Sequence, residues 1–319
     1  MKVLKNFTII IPCINFKDVE KSIVNIRQIY AKVKIIVCLN EKIKKNKDKN
    51  LKFIYTKLKG IGAKRNLAVK SARTKYLAFI DSDAYPKKKW LENSLKFLKY
   101  KNIGVIAGPH IDPKIQNFSE SLVGKVKKSF IITMTPNMQK DTKQKAKIVS
   151  FMPSCNWIMK KNNFLKCGSM DNKMLRNEDW DFVYNRMNKK NYKLLYSPKS
   201  IIFHENANIS HFIKKRFLYG FFMWPILKKL NLKNFYFYLP FLFSLFLISF
   251  PLIFYFKIYL IFYFSVLLIY FSIAIIESLR ISKNLIYFPI ILPILILANI
   301  SPGFGILSGL LNFNKEYNK

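Results

Sequence analysis

Apolar positions come first as short dense runs separated by helical spacing. Residues 7–12 (FTIIIP) form an apolar, β-rich run that predicts a buried strand, and 18–30 carries its apolar residues at helical intervals. The alternation then repeats. Residues 33–38 (VKIIVC) predict a second strand, the lysine-rich 42–50 a solvated loop, and 52–55 (KFIY) a third strand. A glycine-containing turn leads to the helix-like 63–72, and 76–80 (YLAFI) predicts a fourth strand, with 193–196 (KLLY) and 201–203 (IIF) further on. Strands alternating with helices predict an α/β domain with a parallel, doubly wound sheet, whose ligands sit beyond the carboxyl ends of its strands. Chemistry is therefore expected immediately after each strand.

The pattern changes after residue 234. Residues 235–256 and 258–276 are uncharged runs separated only by Lys257. Each approaches the roughly 20 residues that a helix needs to cross a bilayer, so the two read as a helical hairpin. A third run, 285–300, contains Pro289 and Pro293 and precedes the loop-like SPGFG at 301–305 and the apolar GILSGLL at 306–312. It is expected either as a kinked third span or as a re-entrant or interfacial element. A soluble bundle would face water with too much of this surface.

Charge reinforces that division. Residues 1–234 hold 50 of the 55 basic and 15 of the 17 acidic residues, a net +35 placed before the hydrophobic region. Lys228, Lys229 and Lys233 precede the first run and Arg280 and Lys283 follow the second, whereas the turn between them carries only Lys257. By the positive-inside rule the large N-terminal part is expected in the cytoplasm. Its basic surface suits anionic lipid. Nucleic acid is not expected as a partner, because 48 Lys outnumber 7 Arg and no zinc-finger, RNP-type or basic heptad pattern is present. The opening MKVLKNFTIIIPCI reads as a first strand rather than a signal peptide, since its apolar run breaks at Pro12 and Asn15. Cys13, Cys38, Cys155 and Cys167 form no CxxC pair, and they are expected as buried thiols without metal or disulfide.

Four motifs carry candidate chemistry. Asp81-Ser82-Asp83 follows the fourth strand, where two carboxylates can turn to one pocket and suit Mg²⁺ or Mn²⁺ carrying a diphosphate; a solvated turn before Pro86 is the alternative. Gly60-Ile61-Gly62-Ala63-Lys64-Arg65-Asn66 opens a helix, where glycines allow close approach and Lys64 or Arg65 can meet phosphate, and its spacing is not that of a dinucleotide fingerprint. In Asn177-Glu178-Asp179-Trp180-Asp181, Glu178 and Asp181 lie one helical turn apart and Asp179 projects elsewhere, an arrangement equally suited to helix capping. His204 follows the apolar 201–203, a position a structural histidine also fills.

Taken in order, these motifs resemble family 2 glycosyltransferases of GT-A fold with C-terminal membrane helices. The resemblance runs from Ile9-Ile10-Ile11-Pro12-Cys13-Ile14-Asn15 through Arg65-Asn66 and Asp81-Ser82-Asp83 to Asn156, Gly168, Asp171, Glu178-Asp179, His204 and Arg216-Phe217-Leu218-Tyr219-Gly220. It implies a Rossmann-like, doubly wound mixed sheet in which Pro12, Asn15, Asn40, Arg65, Asp81 and Asp83 line the nucleotide-sugar site. It further implies that Asp81 contacts the nucleoside, that Asp83 and His204 ligate Mn²⁺ or Mg²⁺, and that Asp179 is the general base. Arg65 would stabilise the departing nucleoside diphosphate, and Asn156, Trp157, Glu178 and Arg216 would lie on the acceptor side.

The chain departs from the family twice. Leu39-Asn40-Glu41 stands where an acidic pair is common, which leaves nucleotide identity open while Asn40 retains the capacity to hydrogen-bond a base. Ile213 and Phe217 occupy the Gln and Trp positions of the Gln-x-x-Arg-Trp pattern of processive synthases, which favours addition of a single sugar. The expected organisation is a cytoplasmic GT-A domain over 1–220, a basic juxtamembrane segment over 221–234, a membrane region over 235–313 and a tail over 314–319. The expected activity is inverting transfer from a nucleotide sugar to a hydroxyl of a lipid-linked or envelope glycan, at a membrane expected to be the bacterial inner one. A polyprenyl-phosphate sugar synthase and a non-catalytic membrane scaffold are the alternatives.

Overall fold

A computed structural model describes residues 2–43, 46–133, 142–143, 145–230 and 238–317. The chain divides into two compact units, Met1–Lys114 with Met138–Glu205, and Ile115–Asn137 with Asn206–Lys319. The expected boundary at residue 220 thus falls inside the second unit.

Among the described residues the first unit has eleven strands: β1 (Phe7–Pro12), β2 (Lys34–Leu39), β3 (Leu51–Tyr55), β4 (Tyr76–Ile80), β5 (Ala84–Pro86), β6 (Ile103–Ala107), β7 (His110–Ile111), β8 (Lys147–Val149), β9 (Asn156–Lys160), β10 (Lys193–Tyr196) and β11 (Ile202–His204). Eight of them form one sheet in the order β3-β2-β1-β4-β9-β6-β10-β8. Strands β1 to β4 are parallel neighbours where they pair, as the pattern predicts; the apolar runs of β1, β2 and β4 are buried because helices cover both faces, whereas β3, at the sheet edge, is only partly buried. Ile9 and Ile11 pack into one face's core while Ile10, Phe79 and Trp157 pack into the other's.

The sheet is mixed rather than purely parallel. β9 enters antiparallel between β4 and β6, and β8 lies antiparallel on β10. In the β4–β9 register Ile80 faces Asn156. The residues preceding β9 therefore emerge at the same sheet edge as those following β4. A small second sheet, β5-β11-β7, pairs His204 with Ala84 and closes this edge.

The second unit is helical, and its hydrophobic segments differ from the expected hairpin. The described part of the run 235–256 is not one continuous helix. Its helix Leu239–Ile248 ends before Pro251, which lacks the N–H a continuing helix needs, and a 3₁₀ turn follows over Phe250–Phe254. Ten residues of helix rise only about 15 Å, half the hydrocarbon thickness. Among the described residues, the helices long and apolar enough to cross a membrane are instead those within Lys257–Ser282 and Leu285–Asn312.

The expected loop SPGFG is helical, inside Phe288–Tyr317, and Pro293 and Pro302 both lie within that helix. Its glycines serve close packing: a Cβ on Gly305 would lie 2.1 Å from the Phe217 carbonyl oxygen of helix Ile209–Phe221, and one on Gly303 would lie 2.0 Å from the Pro240 carbonyl oxygen of helix Leu239–Ile248. The chain is also helical over Phe118–Val126, where Asn117 and Glu120 form a reciprocal capping box. The juxtamembrane segment is helical over Trp224–Leu230; its residues 231–234, residues 235–237 of the expected membrane region and 318–319 of the tail lie outside the described residues.

Candidate active site

The site lies within the first unit and is organised around a buried guanidinium. Helix Ile61–Ser71 begins where β3 ends and carries Arg65 inward until only 1% of its side chain remains exposed. Its Nη2 donates to Asp81 Oδ1 at 2.8 Å, and its Nη1 donates to Glu178 Oε1 at 3.0 Å and to Ser154 Oγ at 2.7 Å. Ser154 in turn donates from its backbone N at 3.2 Å and its Oγ at 3.3 Å to Asp179 Oδ2. One cation thus gathers the carboxylate after β4 and both acids of Glu178-Asp179, through a serine that precedes β9. Burying a guanidinium is costly unless acceptors engage it, and here both Nη groups are engaged.

The turn after β4 is fixed by backbone and side-chain bonds. Ala84 N donates to the Asp81 carbonyl at 3.2 Å, Ser22 Oγ to the Ser82 carbonyl at 2.5 Å, and Glu205 N to the Asp83 carbonyl at 2.9 Å. This last bond holds the end of β11 against the turn. His204 Nε2 lies 3.5 Å from Asp83 Oδ1 and 3.8 Å from Asp81 Oδ2. His204 Nδ1 lies 2.8 Å from the Glu205 carbonyl oxygen, which can only accept, so Nδ1 carries a proton and Nε2 faces the carboxylates.

Protonation equilibria in the site are displaced. Burial pushes the Glu178 carboxyl up, and the neighbouring Asp179 charge adds to it. Burial also raises Asp179, against hydrogen bonds from the Ser154 and Trp180 amides that favour its ionised form. A carboxylate held above its ordinary range is a stronger base. Helix Glu178–Asp181, which presents both acids, starts from Asn177 at φ 60° and continues as a π-helical turn over Phe182–Met187, where Arg186 Nε donates to Asp181 Oδ2 at 2.6 Å.

Asp81, Asp83, His204, Glu178 and Asp179 are therefore brought together. Several other expected site residues are placed differently. Arg65 has its Nη hydrogens engaged by protein acceptors, so it organises carboxylates rather than facing a diphosphate. Lys64 likewise donates to the Cys13 carbonyl and to Asn40 Oδ1, both at 2.6 Å. Asn40 donates both amide hydrogens to the Thr56 and Leu58 carbonyls, so it has none left for a base.

On the acceptor side, Asn156 is buried and bonds Trp90 Nε1 and the Pro109 and Ser200 carbonyls, while Trp157 is fully buried against Phe182 and donates to the Met152 carbonyl. Both are core residues rather than surface contacts. Arg216 belongs to the second unit, where its Nε donates to the Ala298 carbonyl at 2.9 Å. Pro12 ends β1 buried, and Asn15 Oδ1 accepts from Asp18 N at 3.0 Å, which fixes the loop into helix Lys17–Ile29.

Two residues of the site were not anticipated, Ser154 and Cys155. The Cys155 sulfur, an Asp81 oxygen and a His204 nitrogen lie within 4.8 Å of one another. Burial pushes the Cys155 thiol well up, with the charges of Asp81, Asp83 and Asp179 adding to it and Arg65 opposing them. Strand polarity would have found them: on an antiparallel strand the residues at the ligand edge precede the strand.

Comparison with known proteins bears on this arrangement. Residues 8–168 match the model of glycosyl transferase family 2. The pre-mycofactocin glycosyltransferase of Mycobacterium tuberculosis strain CDC 1551 / Oshkosh is 24% identical over 163 residues, 51% of this chain and 34% of that protein, and its counterpart in strain ATCC 25618 / H37Rv matches with the same figures. The chain thus spans about a third of the length of these curated relatives. Among solved structures, S. aureus TarS 1–349 aligns with TM-score 0.48 at 15% identity, over 97% of this chain and 91% of that one. GalNAc-T7 with UDP, GalNAc and Mn²⁺ aligns with TM-score 0.46 at 10% identity, over 64% of this chain and 44% of that one.

Proposed function

The chain belongs to glycosyl transferase family 2, and from that premise we propose that it is a membrane-anchored, inverting glycosyltransferase that moves one sugar from a nucleoside diphosphate to an acceptor hydroxyl. The observation that carries this reading is the tie through Arg65 and Ser154, which gathers a donor-side carboxylate, Asp81, and a base candidate, Asp179. Single displacement needs both at one pocket, because the base must deprotonate the hydroxyl as it attacks the anomeric carbon from the face opposite the leaving diphosphate. Asp179 has the raised basicity for that step. Ser154 and the Trp180 amide keep Asp179 oriented, while Glu178 is held on the Arg65 guanidinium rather than acting on the substrate.

A divalent cation fits the donor side. The Asp83 oxygen and the His204 Nε2 stand close together with the ring proton on the opposite nitrogen, a donor set suited to Mn²⁺ or Mg²⁺. When bound, such an ion supplies charge neutralisation to a diphosphate leaving group. Asp81, held by Arg65, is assigned to the nucleoside. The two long apolar helices anchor the chain, and the site acts on a lipid-linked or envelope glycan.

Thermal unfolding of the detergent-solubilised protein with a panel of nucleotide sugars and Mn²⁺ or Mg²⁺ tests the donor side, since a ligand that binds only the native state raises its stability. Selective, cation-dependent stabilisation that disappears in Asp83→Ala is expected. A folded protein that responds to no donor would overturn the reading.

A further inference from the structure

Beyond the oxygen-rich cation site just described, the same pocket holds a second donor set that includes sulfur. Asp81, Cys155 and His204 come from three different strand ends: Asp81 follows β4, Cys155 precedes β9 and His204 closes β11. One donor atom from each lies within 4.8 Å of the other two. Two ligands of a single tetrahedral zinc ion, one sulfur and one nitrogen, stand about 3.5 Å apart, so side-chain adjustments of around an ångström close this triad.

The triad has further features of a metal site. The His204 Nδ1 proton is held by the Glu205 carbonyl, which turns Nε2 inward in the manner of a metal-ligating imidazole. Arg65 binds one Asp81 oxygen, Oδ1, and the other, Oδ2, is the one nearer His204. His110 borders the site, with Nδ1 3.7 Å from the Cys155 sulfur and its ring 5.9 Å from that of His204. The remaining cysteines, Cys13, Cys38 and Cys167, are buried and have no part in this cluster.

We propose that Asp81, Cys155 and His204 form a site for Zn²⁺ and ions of similar softness, which competes with the hard activating cation for His204. Thiolate and imidazole favour zinc or cobalt, whereas magnesium and manganese favour oxygen. Coordination releases the thiol proton to solvent as the sulfur–metal bond forms. Zinc held there draws His204 and Asp81 away from the donor, so it excludes the nucleotide sugar. The exclusion rests on the glycosyltransferase reading; the binding site does not.

Co²⁺ is the probe, because a cobalt–thiolate bond produces a charge-transfer absorption in the near ultraviolet. Titration of the full-length wild-type protein with Co²⁺ is expected to produce this band, Zn²⁺ to abolish it by displacement, and Cys155→Ser to lack it. Cys155→Ser should also weaken Zn²⁺ binding at least about tenfold more than Mn²⁺ binding. If circular dichroism shows that Cys155→Ser does not fold, His204→Gln is the second variant, expected to need at least tenfold more Co²⁺ for the same band. No band in wild type at saturating Co²⁺, or a band unchanged in the folded variants, overturns the site. Such a failure alongside intact Mn²⁺-dependent donor stabilisation would leave the glycosyltransferase reading standing, whereas a Cys155-dependent band without any donor response would establish the site and refute that reading.

Discussion

Gly62 lies directly beneath Glu178: a Cβ built on the glycine would come within 2.8 Å of the Glu178 Cγ and 3.1 Å of its Cβ. The glycine therefore provides the room in which the buried carboxylate meets Arg65, and its close approach is to the protein's own acid. Gly62→Ala is expected to push Glu178 off the guanidinium. Overpacking of this kind costs about 1–3 kcal/mol. The checks are the urea unfolding midpoint and the turnover of the same preparation, both of which should fall. An unchanged midpoint would show that the Glu178 side chain relocates freely and that its bond to Arg65 matters little.

Asp179→Asn separates the hydroxyl-acceptor reading from its nearest rival. The amide keeps the shape of the carboxylate and still accepts from the Ser154 amide, so donor-dependent thermal stabilisation should persist. Loss of a general base lowers turnover by about 10²- to 10⁴-fold. Steady-state kinetics and donor binding measured together check this outcome. A variant that retains most of its turnover would point to an acceptor phosphate, which needs no base, and so to the polyprenyl-phosphate synthase.

The raised carboxyls of Glu178 and Asp179 fix the sign of two pH dependences. The base must be ionised, so kcat/KM should fall as pH drops through the raised value, with an acid limb above the ordinary range of about 4. Stability runs the other way. The folded state holds these protons more tightly than the unfolded chain, so the pair's stabilising contribution is complete below the ordinary carboxylate range and is lost as pH rises through the raised value. Unfolding free energy measured against pH should show that decline in wild type and a flatter profile in Glu178→Gln. An acid limb at or below the ordinary range would remove the case for a buried base.

Legibility in the sequence followed strand polarity. Phe7–Pro12 and Tyr76–Ile80 were readable because buried parallel strands are continuous apolar runs, and Asp81 was found by looking past the end of such a run. Ser154 and Cys155 escaped because the same rule, applied to an antiparallel strand, points to the wrong end. Asn40, Asn156 and Trp157 occupy positions that can serve a ligand, and only the three-dimensional inventory of acceptors shows that Thr56, Leu58, Pro109, Ser200 and Met152 already engage them. Composition separated the apolar region from the basic one. It did not divide that region into helices, because Pro251 ends a helical run while Pro293 and Pro302 are absorbed within one.

How a helix absorbs Pro302 yields the last prediction. Proline has no N–H, so Pro302 leaves the carbonyl four residues earlier, that of Ala298, without its helical donor. Arg216 Nε supplies the missing hydrogen at 2.9 Å, and Gly220, one turn further along the same helix, lets the two backbones touch: a Cβ there would sit 2.0 Å from the Pro302 carbonyl oxygen. Arg216→Met is therefore expected to destabilise the helical unit by about 1–3 kcal/mol, the range for a buried acceptor left unpaired. Pro302→Ala restores an N–H to Ala298, so in that background the same arginine substitution should cost less by about 1 kcal/mol or more, a coupling that a double-mutant cycle in detergent measures. Equal losses in the two backgrounds, accompanied by a raised acceptor KM, would return Arg216 to the acceptor-side role implied by its sequence motif.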